Sequence, residues 1–422
     1  MAGAEGAVSG LAALVGELEE GLALHSLENL PVDETVARFC GRARDGGLSI
    51  ARLLVTWRLL NPLFFSEALL WRPGRPVEIE RFRHLTEPGN PAFLGAQLRH
   101  VLTHKILTYR CRLAETVPPR EFAVLDEFAD DGMTDYVTLL VGFGEVEDTT
   151  AVGAGILLSV CSDRPGGFED AEIAALQRLK YMLAVAIRSA FQSEIVETLA
   201  RTYLGRTAGR KVLSGQITRG GGEIVDAVIW YCDLRNSTAL CERMGIERYI
   251  PFLNNYFTAT AGSVVEAGGE VLDFIGDAVL AIFPIEDRGM DDALSATRKA
   301  LERLRRFQEE NCEILGGCEA LADLAGIAID TGRVVYGNIG IADRLTFSVI
   351  GPTVNRVARI ERLTKTLHEP VLATRPIAEA GPGRWQSRGA FHLDGVTDPL
   401  EVFALARGEA SGLASDPLAT NA

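Results

Sequence analysis

VIWYCDLRNST, residues 228–238, opens the stretch that decides this fold, and VLDFIGDAVLAIF, residues 271–283, closes it. Each half begins as an apolar, β-prone run that stops at an acidic residue, Asp233 in the first and Asp277 in the second. The pair Gly276-Asp277 between two such runs predicts a two-residue hairpin, because glycine relieves the turn sterically. Carboxylates at the tips of neighbouring strands can share divalent cations, which clamp an attacking oxygen and a leaving phosphate.

The composition indicates a globular protein without a polyanionic partner. The chain has 422 residues, 47% apolar and 23% charged, which is enough for two or three domains. The net charge of −15 argues against a nucleic-acid or anionic-membrane partner. No apolar run reaches membrane length, the N-terminus lacks a charged secretory start, and the seven cysteines form no close pair. We therefore expect a cytoplasmic protein with reduced thiols.

The first 200 residues have the pattern of an α/β regulatory region. Leucines at helical spacing predict a helical segment over 1–49 and a second helix over 48–60 that stops at Asn61-Pro62. Two β-rich runs, 136–141 and 152–160, precede a long helix that opens at Asp170. We interpret the second half of that helix as a dimer-forming connector, with internal packing as the alternative.

The order of elements over residues 50–200 resembles a GAF-type sensor domain. The resemblance implies a small-molecule or protein input, but it transfers no ligand-binding residue. His100 and His104 have the i, i+4 spacing of helical metal ligands; with no third ligand nearby, an ordinary surface helix is favoured. Residues 201–222 are rich in glycine and predict a flexible linker, because the run Gly220-Gly-Gly222 precedes a strand and lacks Gly-Lys-Ser/Thr.

From residue 223 onward, strand and helix patterns alternate. Strands are predicted over 224–232, 270–283 as a hairpin, 324–330, 333–339 and 346–350, with a turn at 330–332. Helices are predicted over 238–266, 290–311 and 352–366. These elements predict an α+β fold, an antiparallel-rich sheet with helices packed on one face and ferredoxin-like crossovers, followed by a disordered tail over 409–422.

Four motifs in this order resemble the catalytic domain of the class III nucleotide cyclases, the adenylate and guanylate cyclase family. They are Asp233-Leu-Arg-Asn-Ser-Thr238, Phe274-Ile-Gly-Asp277, Gly337-Asn-Ile-Gly340 and Gly351-Pro-Thr-Val-Asn355-Arg-Val-Ala-Arg359. The resemblance spans residues 223–408, and the whole layout is similar to bacterial soluble cyclases with an N-terminal sensor. Taken singly, each aspartate also suits a turn or a helix cap, so the interpretation depends on the four motifs together.

The resemblance implies a metal site and a phosphate site on one protomer. Asp233 and Asp277 match the metal-binding aspartates, and the carbonyl of Leu234 is implied as a further ligand of two Mg²⁺ or Mn²⁺ ions. The amides of residues 234–238 are implied to face the phosphates at a helix start; these residues are Leu234, Arg235, Asn236, Ser237 and Thr238.

A second protomer is implied to complete the site. Asn355 and Arg359, four residues apart on one helix face, match the pair that orients the ribose and stabilises the transition state. In the family the aspartates come from one protomer and this pair from the other. A chain that contains both halves implies a homodimer. The reaction implied at its sites is attack of the ribose 3′-hydroxyl of ATP or GTP on the α-phosphorus of the same nucleotide, with release of pyrophosphate.

Three positions depart from the family pattern. Asp273 stands where a lysine usually reads adenine, Ser348 stands where its partner is an aspartate or threonine, and Asp394 replaces a basic phosphate contact. A carboxylate only accepts hydrogen bonds, which suits the N1–H and 2-amino group of guanine, whereas the base rate of the family favours ATP. Two alternatives stay open: a non-catalytic homologue that binds nucleotide, and a diguanylate cyclase, which Gly268-Gly-Glu270 faintly resembles.

Overall fold

A computed structural model describes residues 2–59, 61, 64–83, 96–143, 155–285, 289–315, 320–380 and 385–406. The chain divides into two compact units, Met1–Leu199 and Ala200–Ala422. The tail predicted over 409–422 lies outside the described residues. Within the described ranges, no helix combines the length and the apolar composition that crossing a bilayer requires.

The first unit contains a six-stranded antiparallel sheet in the order β3-β2-β1-β6-β5-β4. Its main core lies between one face of this sheet and three helices, α1, α2 and α5. In chain order the elements are α1 (Ala2–Glu28), α2 (Val32–Asp45), β1 (Arg52–Arg58), β2 (Phe64–Trp71), β3 (Glu78–Arg83), α3 (Ala96–Thr103), β4 (Thr108–Cys111), α4 (Ala123–Asp130), β5 (Asp135–Gly142), β6 (Gly155–Ser162) and α5 (Asp170–Leu204).

The helix predicted over 48–60 is wrong, because this segment contains strand β1. Leu53, Val55 and Trp57 alternate along it and are buried against the helices, which is the two-residue period of a strand. The two predicted strands are confirmed as β5 and β6, and the long helix is confirmed as α5. Helix α3 ends at Thr103, so His104 lies beyond it with its Nδ1 2.9 Å from the carbonyl oxygen of His100.

The second unit contains an eight-stranded sheet in the order β13-β14-β12-β10-β7-β9-β8, with β11 paired to β10. Only the β10–β12 pair among its described strands is parallel, which confirms the predicted antiparallel-rich α+β fold. Its elements are α6 (Arg206–Leu213), β7 (Gly222–Leu234), α7 (Ser237–Met244), α8 (Ile246–Glu266), β8 (Glu270–Ile275), β9 (Ala278–Pro284), α9 (Gly289–Glu310), α10 (Cys312–Leu315), α11 (Leu321–Leu324), β10 (Ala325–Ile341), β11 (Arg344–Ile350), α12 (Pro352–Leu367), β12 (Val371–Thr374), α13 (Arg375–Ala380), β13 (Trp385–Phe391) and β14 (Leu400–Leu405).

Helices cover both faces of this sheet, so the prediction of helices on one face is wrong. On one face Trp230 packs among residues of α8 and α9, and its Nε1 donates to Thr297 Oγ1 at 3.0 Å. On the other face Ile229 packs with Val357 and Ile360 of α12. The reason is visible in β7, whose central residues are apolar on both sides and therefore need two layers of cover.

The turn predicted at 330–332 is also wrong. Strand β10 continues through it, with Asp330 opposite Ile229 and Gly332 opposite Ala227 in the ladder. The Asp330 carboxylate is buried, and it accepts hydrogen bonds from Arg356 Nε and, at 2.8 Å, from the Thr374 hydroxyl. A charged residue remains in the strand because distant side chains satisfy it.

The segment predicted as a flexible linker, 201–222, is largely helical. It holds the end of α5, helix α6 and the first residue of β7. Ala208 of α6 is fully buried in the core of the second unit. The amides of Thr207 and Ala208 donate to Glu270 Oε1 at 3.0 and 3.2 Å, so the start of α6 is bound to strand β8.

Candidate active site

Two strand tips bring the predicted metal ligands together. Cys232 of β7 lies opposite Val279 of β9, and Ile275 of β8 lies opposite Ala278. Asp233, the last residue but one of β7, and Asp277, in the turn between β8 and β9, therefore lie at adjacent ends of three paired strands. The hairpin predicted at Gly276-Asp277 is confirmed, and Gly276 adopts φ +65°, a left-handed conformation that favours glycine. Both aspartates are half-buried.

The carboxyl of Asp233 is perturbed by its surroundings, among them Asp277. Burial raises the pKa of Asp233 to about 7, and the negative charges of Glu361 and Asp277, with a hydrogen bond to Asp277, act in the same direction. Paired carboxylates that resist simultaneous ionisation are the oxygen donors that a divalent cation neutralises. The residues therefore fit a divalent metal, although the described residues hold no group of three or more acidic, histidine or cysteine ligands.

The chain after Asp233 only partly matches the predicted phosphate loop. The Arg235 amide, predicted to face a phosphate, instead donates to the Leu324 carbonyl at 2.8 Å, because β7 continues its pairing toward α11. Asn236 adopts φ 55° and places its carbonyl 2.9 Å from the Leu240 amide, which starts α7. The amides of Ser237 and Thr238 belong to the first turn of this helix, where backbone donors lack intrahelical partners.

The Arg235 side chain points into the protein rather than toward a nucleotide. Its Nη1 donates to Glu361 Oε1 at 2.7 Å, and its Nη2 donates to Thr364 Oγ1. Both partners lie on α12 and are buried. Glu361 and Thr364 were not predicted as site residues, although their spacing places them on the same helix face as the apolar Val357 and Ile360, where buried polar side chains require partners.

Helix α12 carries the second predicted half of the site. Asn355 is exposed and Arg359 half-exposed, one turn apart, and the Arg359 guanidinium lies beside Gly395. In the described part of the chain, no ion pair joins Arg359 to Asp233 or Asp277. Both halves that the sequence predicted are thus formed within the second unit, without an ion pair between them among the described residues.

The positions that depart from the family pattern are near the surface. Asp273 is exposed on the edge strand β8, and Ser348 is half-buried on β11, which approaches β8. Asp394 is exposed in the segment between β13 and β14. These side chains are available to a ligand or a partner protomer.

Comparison with known proteins identifies the class to which this site belongs. Residues 223–397 match the adenylate and guanylate cyclase catalytic domain, and this part of the chain belongs to that family. The adenylate cyclase of Anabaena cylindrica is 35% identical over 149 residues, which are 35% of this chain and 29% of that protein. Adenylate cyclase 2 of Rhizobium meliloti is 29% identical over 269 residues, 61% of this chain and 69% of that protein.

A further relative and two solved structures are also similar to parts of this chain. The terminal-differentiation specific adenylate cyclase of Dictyostelium discoideum is 31% identical over 152 residues, 36% of this chain and 7% of that protein. The chain therefore spans less than a third of two of these three relatives. A crystal structure of a guanylyl cyclase is 31% identical and covers 44% of this chain and 94% of its own, with a TM-score of 0.37. The structure of a bacterial light-regulated adenylyl cyclase is 18% identical, and the match covers 62% of this chain and 85% of that chain, with a TM-score of 0.45.

Proposed function

We propose that this chain is a purine nucleotide cyclase, which converts a nucleoside triphosphate into its 3′,5′-cyclic monophosphate and pyrophosphate. The observation that carries the proposal is the pair Asp233 and Asp277, two carboxylates at adjacent strand ends inside a domain of the cyclase family, where Asp277 helps to raise the pKa of Asp233. Two Mg²⁺ or Mn²⁺ ions held by these carboxylates and the Leu234 carbonyl would supply charge neutralisation and acidify the attacking 3′-hydroxyl.

Backbone amides and side chains of this protein have separate roles in that reaction. The amides of Ser237 and Thr238, at the start of α7, are suited to donate to phosphate oxygens. Arg359 supplies a fixed positive charge for the α-phosphate as charge develops on it, and Asn355, one turn earlier, orients the ribose. Neither side chain takes part in a hydrogen bond or ion pair within the described residues, so both are available to a substrate.

The active site is proposed to form between two copies of the chain. An exposed apolar row supports this: Ile224, Val335 and Ile350 lie directly opposite one another on β7, β10 and β11. Their exposed fractions are 65%, 44% and 55%. A contiguous exposed apolar patch indicates an interaction surface, and a two-fold pair of identical patches is the commonest way to cover one.

Helix α5 offers a second surface for the proposed homodimer. Tyr181, Val185 and Val196 are each more than half exposed. At 100° per residue they fall within about 60° of one another, which is one side of the helix. Within the second half of α5, which the sequence predicted as a connector, Val196 belongs to this stripe. For the first unit we propose the GAF-like sensor with a small-molecule or protein input.

The choice of nucleotide is proposed to depend on Asp273. Its carboxylate can accept from guanine but would oppose the lone pair of adenine N1, whereas the named relatives are adenylate cyclases. A mismatched polar contact costs on the order of a few kcal/mol, so the preference is expected to be sharp.

Product analysis by mass spectrometry tests the activity and the preference together. Purified protein with Mn²⁺ is expected to form a cyclic mononucleotide from ATP or GTP, and Asp273→Lys is expected to shift the ratio toward ATP. An unchanged ratio would contradict the role of Asp273, and a cyclic dinucleotide product would favour a diguanylate cyclase.

Mixed dimers test the shared site. Asp233→Ala and Arg359→Ala are each expected to be inactive alone, because each removes one half of both sites. When mixed, they are expected to regain one intact site per heterodimer. If rapid subunit exchange is shown by labelling and no activity returns, the shared-site proposal fails.

A non-catalytic nucleotide-binding homologue is the second candidate. The acidic residues Asp273 and Asp394, at positions where the family has basic ones, favour it. Nucleotide binding without any product, under Mn²⁺ and with either purine nucleotide, would select this alternative.

A further inference from the structure

A buried charged cluster lies directly behind Asp233 and takes no part in the chemistry above. It consists of Arg235, Glu361 and Thr364, which we call the arginine clamp. The Arg235 and Glu361 side chains are only 8% and 4% exposed. Thr364 is fully buried, and its hydroxyl also lies 2.5 Å from the carbonyl oxygen of Glu361. Arg235 is therefore held by two partners that are themselves fixed on α12.

The sheet is shaped to admit this clamp. Gly326 of β10 lies opposite Asp233 in the ladder. A Cβ built on Gly326 would overlap Thr364 Oγ1, Arg235 Nη2 and Glu361 Oε1. The strand therefore has no side chain at the position that faces Asp233, and the clamp occupies that space.

Helix α12 is the fixed partner in this contact. Val357 and Ile360 are completely buried against the sheet, and Arg356 pairs with Asp330 near the other end of the helix. The segment 234–236 is held by the ladder pairing of Leu234 with Ala325, by backbone bonds of Arg235 and Asn236 to Leu324 and Leu240, and by the clamp. The clamp is the contact that joins this segment to α12, so breaking it should loosen the segment after Asp233, while the buried face and the Arg356 pair still hold α12.

We propose that Arg235, held by Glu361 and Thr364, is a positioning residue that fixes Asp233 for cation binding. The inference rests on the metal-binding role of Asp233 in the proposed function. Groups that orient a ligand of a metal commonly contribute 10- to 100-fold to its affinity, so the expected effect is on binding itself.

Equilibrium binding of Mn²⁺ to the full chain, followed by the electron paramagnetic resonance of free Mn²⁺, tests this. Thr364→Val removes one acceptor without changing charge or size, and Arg235→Lys keeps the charge but loses the two-pronged contact. At pH 8.5, where Asp233 is ionised, each is expected to weaken binding by about tenfold or more. If Arg235→Lys does not fold, Thr364→Val alone decides.

Thr260→Val is the matched control. Thr260 is also fully buried, but it lies on α8, and among the described residues its hydroxyl bonds only to the carbonyl of Tyr256, at 2.9 Å. Thr260→Val is expected to bind Mn²⁺ within about twofold of the unchanged protein, since the Thr260 hydroxyl bonds to a helix carbonyl and not to Asp233 or the clamp. Equal affinities for Thr364→Val and Thr260→Val would overturn the proposal.

Mixed dimers separate positioning from general loosening of the fold. In the first arrangement, Thr364→Val is added to the Arg359→Ala chain, which supplies Asp233 to the intact site. In the second arrangement, Thr364→Val is added to the Asp233→Ala chain, which supplies Arg359 to that site. Activity is expected to fall only in the first arrangement. Equal losses in both would show a general effect on the fold and overturn the proposal. If the parent pair Asp233→Ala and Arg359→Ala never recovers activity, the shared site has failed, and the Mn²⁺ titration still decides on the clamp.

Discussion

Lowering the pH from 8 to 6 is expected to weaken Mn²⁺ binding about tenfold, because the cation competes with a proton at Asp233. Burial, followed by the charges of Glu361 and Asp277, raises the pKa of this carboxyl from 3.8 to about 7. With that pKa the ionised fraction falls from about 0.9 at pH 8 to about 0.1 at pH 6. A carboxyl at its ordinary pKa would be ionised at both, and affinity would stay constant.

Isothermal titration in two buffers of different ionisation enthalpy measures both the affinity and the protons released. Binding is expected to release about 0.9 proton per site at pH 6 and about 0.1 at pH 8. Asp233→Ala is the control, since it should abolish this proton release. Equal affinities at the two pH values, or heats that do not depend on the buffer, would refute the raised pKa of Asp233.

Three further outcomes follow from the same contacts. Without divalent cations, the free energy of unfolding is expected to fall as the pH rises from about 4 through 7, because the folded state favours protonated Asp233. Urea unfolding in EDTA at pH 5 and pH 8 measures this difference, and equal free energies of unfolding at the two pH values would contradict it. Arg356→Met leaves Asp330 buried and unpaired and should cost about 3 kcal/mol in urea unfolding, whereas a loss below about 0.5 kcal/mol would contradict that role. Ile224→Ser should weaken dimerisation in sedimentation experiments, while Ile246→Ser, equally exposed but outside the row, should not.

The sequence by itself determined the local geometry of the catalytic unit. The β-prone runs around Gly276-Asp277 form the predicted hairpin, because glycine at φ +65° makes this turn inexpensive whatever surrounds it. The spacing of Asn355 and Arg359 fixed their common side of α12, since the period of a helix is a local property. The order of four motifs also identified the family to which residues 223–397 belong.

Only the tertiary structure decided which polar residues face inward. Asp330 resembles a turn residue in sequence, yet Arg356 and Thr374, from a helix and another strand, keep it within β10. The Arg235 amide was predicted to face a phosphate, but it donates to the Leu324 carbonyl, and the Arg235 side chain pairs with Glu361, 126 residues away. A local sequence pattern indicates that burying a charged residue is unfavourable, but it does not identify the distant residue that pairs with that charge. The partner becomes a neighbour only when the chain has folded.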